Sequence, residues 1–274
     1  MSKRVVVHID DIWSSVSANK AAFDLFDNWG ASSWSIIVPG HWFSDLVARK
    51  HDIATYDLWV HLTLTSEWLN EALKWKPTLP VHEVSSLVDS NWYFWPEVDD
   101  VLYKAHPEEI RKELINQFII AQKSWIDVSH IDSHMWVLLH EKLFFIYKEL
   151  ADIFKTQPLL VKSKPWEGLW NWFYRCDKHI DGLINTWFNV LDNFDANSLY
   201  QWEKKYNLHC IDRIKSIKEW ITYFLLHVLG DDVVDTEKTP DYLARQNEYH
   251  FFGSDIVHKI FEEQFIKKIT MKEL

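Results

Sequence analysis

The run Val5-Val6-Val7-His8-Ile9 near the start of the chain is short, β-branched and almost wholly apolar, and it ends in Asp10-Asp11. A strand of that composition reads as covered on both faces, the arrangement of a parallel sheet flanked by helices. Two adjacent carboxylates where such a strand gives out repel each other and resist burial unless a cation or hydrogen-bond donors lie close by. In barrel-like α/β folds the strand ends are where catalytic groups collect. Asp10 and Asp11 therefore seed a candidate site, and the rest of the chain can be searched for what joins them.

Strand-like and helix-like segments alternate from there on. A helix is predicted over 17–29 with Gly30 as its stop, then a strand over 34–38 and a helix over 41–50. A strand over 58–65 carries His61, Thr63 and Thr65. From 66 to 100 the pattern breaks, with Pro77, Pro80 and Pro96 marking a long irregular excursion of the kind that often has a function. Pro107 opens a strong helix with Glu108 and Glu109 in its first turn. A strand over 126–131 leads into Asp132-Ser133-His134, followed by a helix over 138–154 and a strand over 158–162. Helices are expected over 166–191 and 198–206, then a last strand over 221–229 carrying His227, with Asp231 just beyond. Two helices, over 239–249 and from 254, finish the chain. This alternation implies one α/β domain over 1–274, its parallel sheet open or closed into a barrel. No repeat, Gly-x-Gly-x-x-Gly run or phosphate loop is present.

Composition narrows the partners. A formal charge of -11, with no run of Lys and Arg, disfavours nucleic acid. The two cysteines, Cys176 and Cys210, cannot build a disulfide framework. The first strand follows Met1-Ser2-Lys3-Arg4 directly, without room for a signal peptide, and no apolar stretch reaches the length of a membrane span. A cytoplasmic protein is the expectation. The 17 Trp are spread along the whole chain and read mainly as core packing, with Trp13, then Trp68 and Trp136, as candidates for a sugar-stacking face.

The polar clusters fall at predicted strand ends: Asp10-Asp11, His61, Asp132 with His134, and His227 with Asp231. In a parallel α/β fold those ends share one face. One carboxylate and two imidazoles make a three-ligand site for a divalent ion with a position left for water. A second aspartate can then take a proton from that water, and a further histidine can protonate a leaving group. Each piece alone has an ordinary reading, since a lone histidine is more often a core or surface residue and an Asp pair often caps a helix. Their coincidence points to metal-assisted hydrolysis.

The order and wording of these motifs resemble the YdjC-like carbohydrate deacetylases, also called chitooligosaccharide and hopanoid-associated deacetylases. The resemblance rests on the strand-Asp10-Asp11 opening, His61-Leu62-Thr63-Leu64-Thr65, Glu113-Leu114-Ile115-Asn116-Gln117, Asp132-Ser133-His134, the strand bearing His227, and Arg245-Gln246-Asn247-Glu248. It implies a distorted, incomplete TIM-like (β/α) barrel of the polysaccharide deacetylase type, removing N-acetyl groups from an amino sugar, oligosaccharide or glycoconjugate, and a homodimer. By that resemblance Asp11, His61 and His134 hold the metal, Asp10 is the general base and His227 gives a proton to the departing amine. Zinc is the first expectation by ligand type, with magnesium, nickel or cobalt also acceptable to an Asp and two His. Asp132 is expected to orient a ligand imidazole, and Thr63, Thr65, Trp13, Asp231 and Arg245 to stand around the site or substrate. Arg245 and Glu248, one turn apart, are expected to pair with each other. The competing readings are a related hydrolase acting on another amide or ester, and a non-catalytic saccharide-binding or scaffold protein that keeps the fold.

Overall fold

A computed structural model describes residues 2–12, 14–49, 53, 55–68, 70–162, 177–184, 186–199, 205–234 and 239–274. Its central element is the apolar run met first: β1 (Lys3–Ile12), buried along most of its length. Six more strands complete the main path of the sheet: β2 (Ser33–Ile36), β3 (Leu58–Leu62), β4 (Val128–Ser133), β5 (Gln157–Pro158), β6 (Asn193–Asp195) and β7 (Trp220–His227). They run in the order β5-β4-β3-β2-β1-β7-β6, every pair parallel. β8 (Ile266–Lys268) pairs with Lys3–Val5 of β1. Since β7 takes one edge of β1 from Lys3 to Asp10, β8 and β2 share the other edge end to end.

The sheet curls into an incomplete barrel. The chain after β5 and the chain before β6 meet at a single parallel bridge, Val161 to Leu191. Leu191 N donates to the Leu160 carbonyl and Lys162 N to that of Leu191, both at 2.8 Å. Alternation along β1 sends Val5, Val7 and Ile9 into the main core against the helices, and Val6 inward among Trp59, Tyr223, Leu225 and Ile269. His8 follows Val6 inward, its ring packed at a tilt against Trp59 and Tyr223.

Helices cover the outside. In α1 (Val16–Asp27) the Ser15 side chain accepts from Ala18 N, an N-cap. At its C-terminal end Trp29 is the left-handed residue (φ 61), and Gly30 N donates to the Leu25 carbonyl at 2.7 Å. Gly30 is needed for close approach: a Cβ there would lie 2.6 Å from the Phe252 carbonyl oxygen. Between β2 and β3 lies the short α2 (Phe43–Ala48), and α3 (Val98–Lys104) closes the excursion that follows β3. α4 (Pro107–Lys123) buries Ile110, Leu114, Phe118 and Ala121 together with two polar residues. Of these, Gln117 holds the backbone of Thr63 at both its N–H and carbonyl, and Glu113 accepts from Thr78 N and Leu79 N. These side chains pin the path of the chain after β3.

Several boundaries differ from the sequence reading. The third strand stops at Leu62 rather than 65, because the Thr63 backbone bonds to Gln117 instead of a neighbouring strand. The excursion over 66–100 is irregular as expected, with three single 3₁₀ turns before α3, and Trp75 ties it back through Nε1 to the Thr65 carbonyl. α5 (Phe144–Phe154) starts later than 138, since Met135 (φ 48) and Trp136 (φ 58) turn the chain left-handed just after β4. Of the helices expected over 166–191 and 198–206, residues 166–176, 185 and 200–204 lie outside the described residues; in the described part of the first, only α6 (Asp177–Asp181) is helical, and 186–191 are not. α7 (Tyr206–Lys215), β6 and β8 were not foreseen; α8 (Tyr242–Phe252) and α9 (Asp255–Glu263) correspond to the two helices expected over 239–249 and from 254, but β8 follows α9. Among the described residues no helix is long and apolar enough to cross a membrane.

Candidate metal centre

In a regular strand Asp10 and Asp11 would point to opposite faces. The pairing of β1 with β2 slips between Ile9 and Ile12, and Asp11 takes φ 63. Aspartate tolerates this left-handed geometry better than most residues, and a bulge of this kind re-aims a side chain. Both carboxylates therefore open on one cavity of about 470 Å³ at the C-terminal ends of the strands.

His61, at the end of β3, and His134, just past β4, meet Asp11 there. Asp11 Oδ1 is 3.1 Å from His134 Nδ1 and 3.6 Å from His61 Nε2, and the two ring nitrogens are 3.2 Å apart. Asp11 Oδ1 is buried yet makes no well-aligned hydrogen bond to either ring. Three donors each bound at 2.0–2.2 Å to one tetrahedral ion stand roughly 3.2–3.6 Å apart, so the spacing and the orphaned oxygen fit a divalent cation.

The far nitrogen of each ring has its own carboxylate. His61 Nδ1 is 2.7 Å from Asp132 Oδ1, and His134 Nε2 is 2.9 Å from Glu67 Oε2. Such partners fix the tautomer and leave the other nitrogen's lone pair aimed inward. In the ion-free protein the same carboxylates draw protons onto the rings. Burial pulls His134 downward, but Glu67 and Asp11 outweigh it and raise its pKa to about 9; His61 is raised well above its ordinary value against burial by Asp132, Asp10 and Asp11. Burial likewise opposes, without preventing, the depression of Asp132 to about 2 by His61 and His8. Asp11 is also held well below the usual carboxylate range, its burial outweighed by His134 and His61. Ion binding must then release protons.

Around this centre Asp10 Oδ1 accepts from Ser35 Oγ at 3.2 Å and from the Tyr223 hydroxyl at 3.5 Å. Asp10 pairs in register with His227 on β7, which puts His227 across the cavity mouth, its Nε2 3.8 Å from Asp11 Oδ2. Ser198 Oγ donates to Glu248 at 2.8 Å and so accepts from His227 Nδ1 at 3.0 Å, leaving Nε2 toward the cavity. Arg245 on α8, buried at the cavity wall, sets Nη1 3.2 Å from Asp11 Oδ2 and Nε 3.0 Å from Asp241.

The fold thus brings together Asp10, Asp11, His61, His134, His227 and Arg245, with Asp132 behind His61 and both Trp68 and Trp136 on the wall. Three expectations need correction. Thr63 turns its hydroxyl onto the His61 carbonyl at 2.6 Å, and Thr65 is buried in a backbone bridge to Trp95; neither lines the cavity. Asp231 is exposed and bonded to His250, because the chain turns outward after β7. Arg245 and Glu248 do not pair: Glu248 receives Ser198, Leu199 N and His227 N instead. Trp13 lies outside the described residues. Glu67, Ser35, Tyr223 and Ser198 escaped sequence reasoning. Glu67 and Ser198 stand in irregular segments without periodicity, while Ser35 and Tyr223 read as ordinary strand residues.

Residues 4–263 match the family described as YdjC-like protein. The chain belongs to the YdjC-like family. Its relatives include a carbohydrate deacetylase of Thermus thermophilus, 32% identical over 165 residues, which are 60% of this chain and 55% of that protein. The aligned part therefore spans little more than half of the Thermus protein's length. A carbohydrate deacetylase of Thermoanaerobacter pseudethanolicus is 25% identical over 85% of this YdjC-like chain and 84% of its own. A crystal structure of a candidate cellobiose-phosphate cleavage protein from Enterococcus faecalis superposes with a TM-score of 0.78 at 23% identity, covering 100% of this chain and 99% of that one, and shows the same fold.

Proposed function

We propose that this YdjC-like chain is a metal-dependent hydrolase that removes N-acetyl groups from an amino sugar, oligosaccharide or glycoconjugate. The observation that carries the reading is the convergence of Asp11, His61 and His134, 3.1–3.6 Å apart, between Asp10 and His227 in one cavity. Two relatives named carbohydrate deacetylase support the choice of substrate class. Asp11 Oδ1, His61 Nε2 and His134 Nδ1 would hold the ion, zinc first by donor type. When bound, the ion supplies Lewis-acid activation of water and of the acyl oxygen. Asp10, steadied by Ser35 and Tyr223, takes the proton of the attacking water. His227 Nε2, backed through Nδ1 by Ser198 and Glu248, gives a proton to the leaving amine nitrogen. Trp68 and Trp136 line the cavity wall against which a sugar ring would lie.

The test is acetate release from a panel of N-acetylated saccharides, before and after chelation and after zinc is restored. Release that is lost with chelator and returns with zinc is the expected result; a folded, zinc-loaded protein that binds sugars and never releases acetate overturns it. Within that assay His61→Ala loses bound metal, whereas His227→Ala keeps metal and loses about 10²–10³-fold in kcat. Equal metal loss in the two variants would show that His227 is a ligand.

A further inference from the structure

Directly beneath the metal centre, His8 is wholly buried in the barrel interior, its ring 4.2 Å from Trp59 and 5.1 Å from Tyr223. Its Nδ1 lies 2.6 Å from Ser33 Oγ. Its Nε2 points between two buried carboxylates, 3.2 Å from Asp10 Oδ1 and 3.5 Å from Asp132 Oδ2, aligned with neither alone. A lone pair in that place would face two negative oxygens, so Nε2 carries a proton. A neutral ring would still leave both carboxylates without a counter-charge on this side, an arrangement that is strongly unfavourable when buried.

We propose that His8 is a positioning residue of the reaction, an imidazolium that clamps Asp10 and Asp132 from below and so fixes both the general base and the carboxylate that orients His61. The clamp deepens the deacetylase reading, since it rests on Asp10 acting as the base. The groups facing His8 are Asp10 on its own strand, Ser33 on β2, Asp132 and His130 on β4, Tyr223 on β7, and Asp57 from the segment before β3. Of these the carboxylates favour the charged ring, and burial, which opposes it, is outweighed by Asp10 and Asp132. His130 sits nearby with neither ring nitrogen hydrogen-bonded and its pKa pushed down to about 3 by burial and by His8, so it stays neutral and leaves the positive charge to His8. Asp132 divides its two oxygens between the rings, Oδ1 to His61 and Oδ2 to His8. Rotation of Asp132 would release both. The competing occupant is a second metal ion, because donor atoms of His8, Asp10 and Asp132 lie within 4.8 Å of one another.

The experiment uses the full chain loaded with zinc, with His8→Asn and His8→Gln beside the parent. Metal analysis is expected to give one equivalent in all three proteins. The variants are expected to lose at least about tenfold in kcat while KM stays within about twofold, the split of a group that acts through the base. Independently of turnover, 15N spectra of histidine-labelled parent protein at neutral pH are expected to contain, among the doubly protonated rings, one whose signals disappear in His8→Asn. A neutral His8 ring, an undiminished kcat, or a fall from two metal equivalents to one overturns the clamp. Should the variants fail to fold, the protonation state read from the parent decides. Absence of acetate release from the parent, with the charged ring still seen, overturns the deacetylase reading while upholding the ion pair.

Discussion

His61 and His130 stand on neighbouring strands, both inside the barrel and both buried, and they share a residue type but little else. His61, at the mouth, has Asp132 on one nitrogen and Asp11 near the other, and its pKa is raised well above normal. His130, nearer the floor, stacks on Trp59 with neither nitrogen hydrogen-bonded, and burial pushes its pKa to about 3. Burial penalises charge equally in principle; the carboxylates decide the outcome. The mouth concentrates Asp10, Asp11, Asp132 and Glu67 around two imidazoles, so that each buried carboxylate has an imidazole or another donor beside it. The floor uses its histidine as an aromatic filler.

This contrast can be broken at the mouth first. Asp10→Asn removes the base while leaving the three donors in place, and kcat is expected to fall about 10³-fold with metal content unchanged. Loss of metal along with activity would mean that Asp10 belongs to the ion's coordination. A smaller effect is expected one shell out. Glu67→Gln keeps the shape beside His134 but removes the charge, and zinc affinity, read by competition with a chromophoric chelator, should weaken about 10–100-fold. An unchanged affinity would show that Glu67 contributes no more than solvent does.

The smallest effect is expected at the floor, and it concerns stability. The folded pKa of His130 lies below its unfolded value, so on acidification the unfolded chain takes up this proton first and stability falls between pH 6.5 and about 3. His130→Phe preserves the stack on Trp59 without that penalty. Urea melts at two pH values should show the parent losing about 2 kcal/mol more than the variant between pH 7 and 5. Equal losses would mean that His130 finds a polar partner and belongs with the mouth after all.

Much of the mouth was legible in the sequence because strand-terminal residues of a parallel sheet converge whatever their distance along the chain. Asp10, Asp11, His61, Asp132, His134 and His227 needed only correctly placed strand ends to be grouped, while the choice of Asp11, His61 and His134 among them came from the family resemblance. Glu67 was hidden in the excursion, where no period says which side chain turns back. α7 was missed for a different reason. Its buried positions Tyr206, Cys210, Arg213 and Ile214 have helical spacing, but a buried arginine among them breaks the apolar stripe, and its partners, Asp195, Glu248 and the Leu225 carbonyl, all come from elsewhere in the chain. β6 and β8, three residues each, are too short for alternation to register. His8 read as one apolar-strand residue among others until the sheet curled and Asp132 came to face it.

The sequence by itself determined the longer strands, most of the long helices and which residue types stand at the strand ends, since these follow from local backbone preference and side-chain period. Only the tertiary structure decided which carboxylate serves which imidazole. That assignment depends on the slipped register at Asp11, on the curl that brings β1 and β4 across from each other, and on an excursion folded back over His134. Each is a contact between distant segments that no local pattern encodes.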